Sequence, residues 1–191
     1  MPQPLVILVN GLPATGKTTL ARRLASDLRL PLLAKDAIKE TLFDTLGWSD
    51  REWSRRLSGA TLALLFLLLE EQLRAQKPCI VECNFVPDRD TQRFLDLQQT
   101  YPFTPFQILC VTDGPTLYQR YCQRALSTER HPGHVETHNL DEHRELLLGG
   151  HIEPLSIGGI LYQVDTTSFA TIDYDGLRIA IEQARTTPAN D

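Results

Sequence analysis

The residues with the clearest chemistry are Gly11-Leu12-Pro13-Ala14-Thr15-Gly16-Lys17-Thr18, directly after the apolar run Leu5-Val6-Ile7-Leu8-Val9. Their spacing fits G-x-x-x-x-G-K-[ST], a loop that cradles nucleotide phosphates. The glycines permit backbone conformations closed to other residues, so successive N–H groups can point inward at phosphate oxygens. A helix that begins at the loop, with Thr19 in its first turn, offers its positive end to the same oxygens. Lys17 can reach the β- and γ-phosphates, and the Thr18 hydroxyl can ligate Mg²⁺. A surface turn would match this spacing only by chance. The strand-like run before the loop and the helical pattern after it are the context the motif demands.

Two acids lie where they could work on such a nucleotide. Asp36 follows a short apolar segment and could face the γ-phosphate, taking the proton of an acceptor hydroxyl; it could equally be a helix N-cap. Glu82 stands between Val81 and Cys83 in an otherwise apolar run. A carboxylate is rarely buried there without a partner, so it could hold Mg²⁺ or its waters, take a substrate proton, or reach solvent at a strand end. Asn84 could orient substrate or water. Arg120 and Arg124 are four apart, on one helix face, and Arg130 falls in a polar stretch beyond. Phosphoryl transfer is accelerated mainly by positioning and by positive charge on the transferring group, and arginines on a closing segment could supply both. Arg51, Arg55 and Arg56 could hold a second phosphate or simply face solvent.

Other groups read more plainly. His131-Pro132-Gly133-His134, with His138 and His143 nearby, lacks a standard zinc spacing and a nearby Cys. Exposed loop, or substrate contact, fits it better than metal. Arg22 and Arg23 read as the solvated face of the first helix. Cys79, Cys83 and Cys110 sit in apolar strand-like runs, as small buried hydrophobes, and no C-x-x-C pair occurs. The net charge of −5, with no basic block, argues against a nucleic-acid partner. The apolar run Leu62–Leu69 is far short of the roughly 20 residues that span a bilayer, so no membrane partner is expected. The N-terminus shows no charged leader or cleavage site, and a cytoplasmic protein is expected.

The elements that must position these groups alternate. Strands are expected at Leu5–Asn10, Leu32–Lys35, Cys79–Asn84, Phe106–Val111 and Leu161–Thr166. Helices are expected at Thr18–Leu30, stopped by Pro31, and at Asp36–Leu46, ended by Gly47. A capping box Ser49-x-x-Glu52 should open a long helix over about Asp50–Gln76. Further helices are read at Asp88–Gln99, Thr116–Leu126 and Asp173–Arg185. Ser127–His138 reads as a mobile polar loop, Asn139-x-x-Glu142 as the cap of a short helix ending at Gly149-Gly150, and Thr186–Asp191 as a frayed tail. At 191 residues, the chain is expected to form one domain with a lid at about 120–145. The alternation indicates a parallel sheet covered on both faces, with ligands beyond the carboxyl ends of the strands.

Gly11–Thr18, Lys35-Asp36-x-Ile38-Lys39-Glu40, Val81-Glu82-x-Asn84-Phe85, Arg120-x-x-x-Arg124 and Val164-Asp165-Thr166 together resemble the P-loop kinases grouped with AAA-type ATP-binding domains. These are similar to chloramphenicol phosphotransferase, zeta toxin and the polynucleotide 5′-kinase domain. The resemblance implies a P-loop NTPase fold: a three-layer α/β/α sandwich on a five-stranded parallel sheet of order 2-3-1-4-5, with a helical lid after the fourth strand. It implies ATP, Mg²⁺ and phosphoryl transfer to a hydroxyl. It also implies that Asp36 serves as base, that Arg120 stacks near adenine and that Arg124 contacts the transferring phosphate. Glu82 departs from the Asp of many relatives. Lys39 departs from the Arg of the polynucleotide kinases, which weakens that reading in particular. The reading reached is an ATP-dependent kinase of a small-molecule hydroxyl acceptor. Its catalytic residues are Lys17, Asp36, Glu82, Arg124 and Arg130; Gly11–Thr19 and Arg120 hold nucleotide; Thr18 and Glu82 hold Mg²⁺. A nucleic-acid 5′-end kinase and a regulatory ATPase switch are the alternatives.

Overall fold

The first strand, β1 (Leu5–Gly11), is buried along its whole length, because it is apolar on both of its faces. In the computed structural model it is the centre of a parallel sheet; residues 3–128, 130–135, 140 and 143–186 are described. The other strands are β2 (Leu32–Ala34), β3 (Cys79–Glu82), β4 (Thr104–Val111) and β5 (Ile160–Asp165), in the order β2-β3-β1-β4-β5. This is the five-stranded parallel arrangement expected from the resemblance. Continuous apolar runs are the signature of strands covered twice. Leu5, Ile7 and Val9 pack under α1 (Lys17–Leu28) and α7 (Tyr174–Thr186), against Leu20, Leu24, Leu177 and Ile181. Val6 and Leu8 face the other way, toward Leu65, Leu69 and Leu73 of α3 (Arg51–Arg74) and Phe94 of α4 (Pro87–Thr100). The helices α2 (Lys35–Leu46), α5 (Gly114–Ala125) and α6 (Arg144–Gly149) complete the described set.

Register fixes where the chemistry falls. Val9 of β1 pairs with Glu82 of β3, and Ala34 of β2 pairs with the same Glu82. The carboxyl ends of three adjacent strands therefore bring the phosphate loop, the start of α2 and Glu82 to one edge of the sheet.

Several local expectations are corrected. Helix α1 ends before Pro31: Arg29 adopts φ 53°, and its N–H and that of Leu30 cap the last carbonyls. The long helix is capped by Asp50, whose carboxylate accepts from the Trp53 N–H at 2.9 Å, and not by Ser49. Asp36 is not an N-cap: Ala34 holds that position, and Asp36 lies inside the first turn of α2. Glu82 ends β3, leaving Asn84 in the following loop. The short helix α6 begins after His143, while its expected caps, Asn139 and Glu142, lie outside the described residues. Thr186 belongs to α7; the remainder of the expected tail, 187–191, is outside them too. Among the described residues no helix is long and apolar enough to cross a membrane.

Helices α5 and α6 cross at Gly114. A methyl there would stand 2.0 Å from the Leu148 carbonyl oxygen. Gly114→Ala is expected to cost about 1–3 kcal/mol. Urea unfolding should show a lower midpoint at unchanged slope.

Candidate active site

The backbone of the loop takes the shape its glycines allow. Gly11 has φ 152° and a Cβ there would lie 2.6 Å from the Cys110 carbonyl oxygen, while Gly16 has φ 80° and its α-carbon is covered by the Phe169 ring. Only glycine fits either position. The Thr15 hydroxyl closes the turn by donating to the Leu12 carbonyl at 2.9 Å. Asn10 clamps the base of the loop: its Oδ1 accepts from the Gly11 and Phe85 N–H groups at 2.8 and 2.9 Å, and its Nδ2 donates to the Phe85 carbonyl. This ties the end of β1 to the segment after β3.

Lys17 is only 7% exposed. Its ammonium lies 3.4 Å from the Leu12 carbonyl and 3.8 Å from Glu82 Oε1. Both are long for a charge-assisted bond. Glu82 is 3% exposed, and its Oε2 is buried and makes no hydrogen bond. Burial drives the Glu82 pKa up, opposed by Lys17 and by the Thr18 hydroxyl. An acid reaching solvent is thereby excluded.

Asp36 is brought to the same place. Burial would raise its pKa, but Arg130, Lys35, His134 and Lys17 outweigh that and hold it well below the usual carboxylate range. Arg130 Nη1 donates to Asp36 Oδ2 at 2.9 Å, and Lys35 Nζ lies 3.8 Å from Oδ1. Lys17, Asp36, Arg124 and Arg130 line two adjoining cavities. The outer one, about 360 Å³, adds Gly16, Thr18, Thr19, Arg22 and Arg120. The inner one, about 170 Å³, adds Pro13, Lys35, Lys39, Asn84, Tyr121, His134 and His143. Glu82 lines neither; it lies beneath Lys17. Arg22 is thus a wall of the outer cavity as well as an exposed helix residue, and Arg23 stacks on Tyr174 at 3.5 Å. Arg55 and Arg56 are exposed and, like Arg51, line neither cavity.

The stretch after α5 was expected to be a mobile loop. Its described part instead docks along α2. Arg130 also approaches Glu40 Oε1 at 3.5 Å, His134 Nε2 meets the same oxygen at 2.9 Å, and His131 Nε2 meets Asp44 at 3.2 Å. Asp36, Glu40 and Asp44 are spaced four apart, so they form one acidic helix face. His131 stacks on the Phe43 ring at 5.0 Å, and Gly133 allows the short turn Pro132–His134 to approach the same ring. His138 lies outside the described residues, and no group of three metal-ligating side chains occurs among those described.

Arg120 points elsewhere than Arg124. It donates to the Thr166 and Thr167 carbonyls at 2.8 and 2.7 Å, fixing α5 to the segment after β5, and lies 5.9 Å from the Phe169 ring. Sequence reasoning missed Asn10, Glu40 and Phe169. A polar residue closing an apolar run marked Asn10; the i, i+4 acids marked Glu40; nothing local marked Phe169.

The fold and loop define a P-loop nucleotide-binding protein of the kinase-like kind. Residues 6–147 match the AAA domain family, and the chain belongs to it. A crystal structure of a candidate kinase from Chloroflexus aurantiacus J-10-fl is 42% identical, with a TM-score of 0.85, covering 96% of this chain and 99% of that one. At the level of fold alone, the chain is similar to a sugar kinase from Janibacter sp. HTCC2649 (15% identity, TM-score 0.56, 98% of each chain). It is similarly like a gluconokinase from Sinorhizobium meliloti 1021 (16% identity, TM-score 0.51, 96% and 94% of the chains). No curated protein sequence matches the chain.

The docked turn makes a pH prediction. Burial, with the Arg130 charge beside it, pushes the His134 imidazole down from 6.5 to about 3. The unfolded chain takes up a proton at His134 below its ordinary pKa, and the folded protein does not. The stabilisation is therefore complete above pH 6.5 and is lost as pH falls toward 3, by on the order of 1 kcal/mol per pH unit. Thermal melts from pH 7 to 4.5 should fall less steeply for His134→Gln than for the parent.

Proposed function

We propose that this protein is an ATP-dependent phosphotransferase that moves the γ-phosphoryl group to a hydroxyl of a small molecule. The observation that carries the reading is the four shared residues: Lys17, Asp36, Arg124 and Arg130 stand at the junction of a nucleotide-sized cavity and a smaller inner one. A transferring phosphoryl group must cross such a junction, and these charges meet it there.

The loop amides and Lys17 hold the phosphates of ATP in the outer cavity, with the nucleoside end toward Arg120 and Phe169. The acceptor occupies the inner cavity, where Asn84, Lys39 and His134 can orient its polar groups. Asp36 is ionised throughout the neutral range, so it can receive the acceptor proton as the acceptor oxygen bonds the γ-phosphorus and the bond to the β–γ bridging oxygen breaks, leaving ADP. Arg124 and Arg130 offset charge on the transferring group, and the turn docked on α2 excludes water from it. The residues present fit a divalent ion: the Thr18 hydroxyl adjoins Glu82, whose Oε2 makes no hydrogen bond. Mg²⁺ held there would neutralise phosphate charge when bound.

A coupled assay of ATP consumption across sugars, nucleosides, antibiotics and oligonucleotide 5′-ends tests the proposal. A small-molecule acceptor should support turnover. Lys17→Ala and Asp36→Asn should each lower kcat by roughly 10²–10⁴-fold. Asp36→Asn should retain ATP binding by calorimetry, separating a base from a nucleotide contact. Full activity of Asp36→Asn would remove the base assignment. Transfer only to oligonucleotide ends, or nucleotide-dependent partner binding with no acceptor, would replace the proposal with one of its alternatives.

A further inference from the structure

Helix α3 carries an apolar stripe that the described chain leaves largely uncovered. Ala60, Ala63, Leu64, Leu67 and Leu68 recur at helical spacing on the side away from the sheet. Leu64, Leu67 and Leu68 are 37%, 52% and 42% exposed. An open groove of about 340 Å³ continues the patch onto Leu97 of α4.

The stripe is polar at both ends, with opposite signs. Arg56 lies at its N-terminal end, and Glu70 and Glu71 at its C-terminal end. Large and small apolar residues are segregated in the same sense: Gly59, Ala60 and Ala63 first, then Leu64, Leu67 and Leu68. A two-fold axis near residues 63 and 64 would lay α3 antiparallel on a copy of itself. Leu67 of one copy then falls into the hole bounded by Arg56, Gly59, Ala60 and Ala63 of the other, as a knob into small residues. Arg56 of one copy meets Glu70 and Glu71 of the other, and the symmetry makes each contact twice. Arg56 now pairs with Glu52 at 2.7 Å, and Glu71 with Arg74 at 3.3 Å. Both pairs are exposed and rearrange at little cost, while Glu70 keeps its contacts with Arg74 at 2.9 Å and the Tyr101 hydroxyl at 3.1 Å and adds negative charge beside Glu71.

Gly59 supplies an independent observation. A glycine inside a helix is unfavourable, and a Cβ at Gly59 would meet nothing within 4 Å. No contact among the described residues calls for it, whereas a helix approaching closely from outside would.

We propose that this protein forms a two-fold homodimer through the outer face of α3, in antiparallel register centred between Ala63 and Leu64. The site chemistry is independent of this, since none of the stripe lines either cavity.

Sedimentation equilibrium of the full chain should give twice the protomer mass at tens of micromolar, roughly. Leu67→Glu should give a protomer with an unchanged circular dichroism spectrum, since that side chain is exposed. Arg56→Glu should raise the dissociation constant at least about tenfold, and Arg56→Glu with Glu71→Arg should recover most of it. Ala63→Cys should cross-link to itself across the axis under oxidation. A parent that sediments as a monomer at about 100 µM, including one that binds a foreign protein instead, overturns the proposal. So does a dimer that Leu67→Glu leaves intact, or a charge-reversal pair that recovers nothing.

Discussion

The structure depends on a buried ammonium. Lys17 is held nearly out of solvent by a carbonyl and a carboxylate, neither at a good hydrogen-bond distance. A polar group buried in such a place needs partners brought to it, since burying it unpaired is costly. The fold supplies them through strand register. Glu82 stands beside Val9 because β3 pairs with β1 in parallel, and the Asn10 amide locks the two strand ends together. The glycines at 11 and 16 then let the backbone wrap so that the lysine turns inward. Parallel strands, clamp and loop thus serve one cation.

Helix α2 serves as both wall and dock. Its face of Asp36, Glu40 and Asp44 meets one arginine and two histidines from the segment after α5. Arg130 touches the proposed base and borders both cavities, so the position of that segment and the ionisation of Asp36 are one electrostatic problem. The histidine contacts on Phe43 and Glu40 seat the segment. Arg120 does the opposite work one turn before Arg124: by binding two carbonyls after β5 it makes α5 a fixed body. The two arginines share a helix face and divide its tasks.

What was legible in the sequence follows from how local each signal is. The three inner strands β1, β3 and β4 were legible because burial on both faces leaves short apolar runs between turn residues. The phosphate loop was legible because its glycines answer to backbone sterics that no partner can replace. Capping was legible only in kind: Ser49 and Asp50 are both good caps, and the direction of the chain entering α3 selected Asp50. The position of Asp36 needed three dimensions, since an Asp at a strand–helix junction suits a cap until Ala34 takes that place. The docking of residues 130–135 on α2 was out of reach, because its partners are some ninety positions away and its polar composition resembles that of a free loop. Phe169 over Gly16 is the same case: one ring closes a space whose need is visible only from the other side.

The two cavities divide the problem of specificity unequally. The outer one, proposed for the nucleotide, is walled by the loop, the first turn of α1, α2 and α5. Proteins at 15–16% identity keep the same fold, so the framework outlasts most of its sequence. On the proposed reading, acceptor choice belongs to the inner cavity, which is small and walled almost wholly by polar side chains. Its floor is Lys39, buried and bonded through Nζ to Ser54 of α3 at 2.9 Å. A lysine so placed cannot swing out at little cost, since withdrawing it would strand the buried hydroxyl. The inner cavity is therefore shaped before any acceptor arrives, and its charge is set by α2 and α3 together. The outer face of α3 can diverge without touching the chemistry, while its Ser54 cannot.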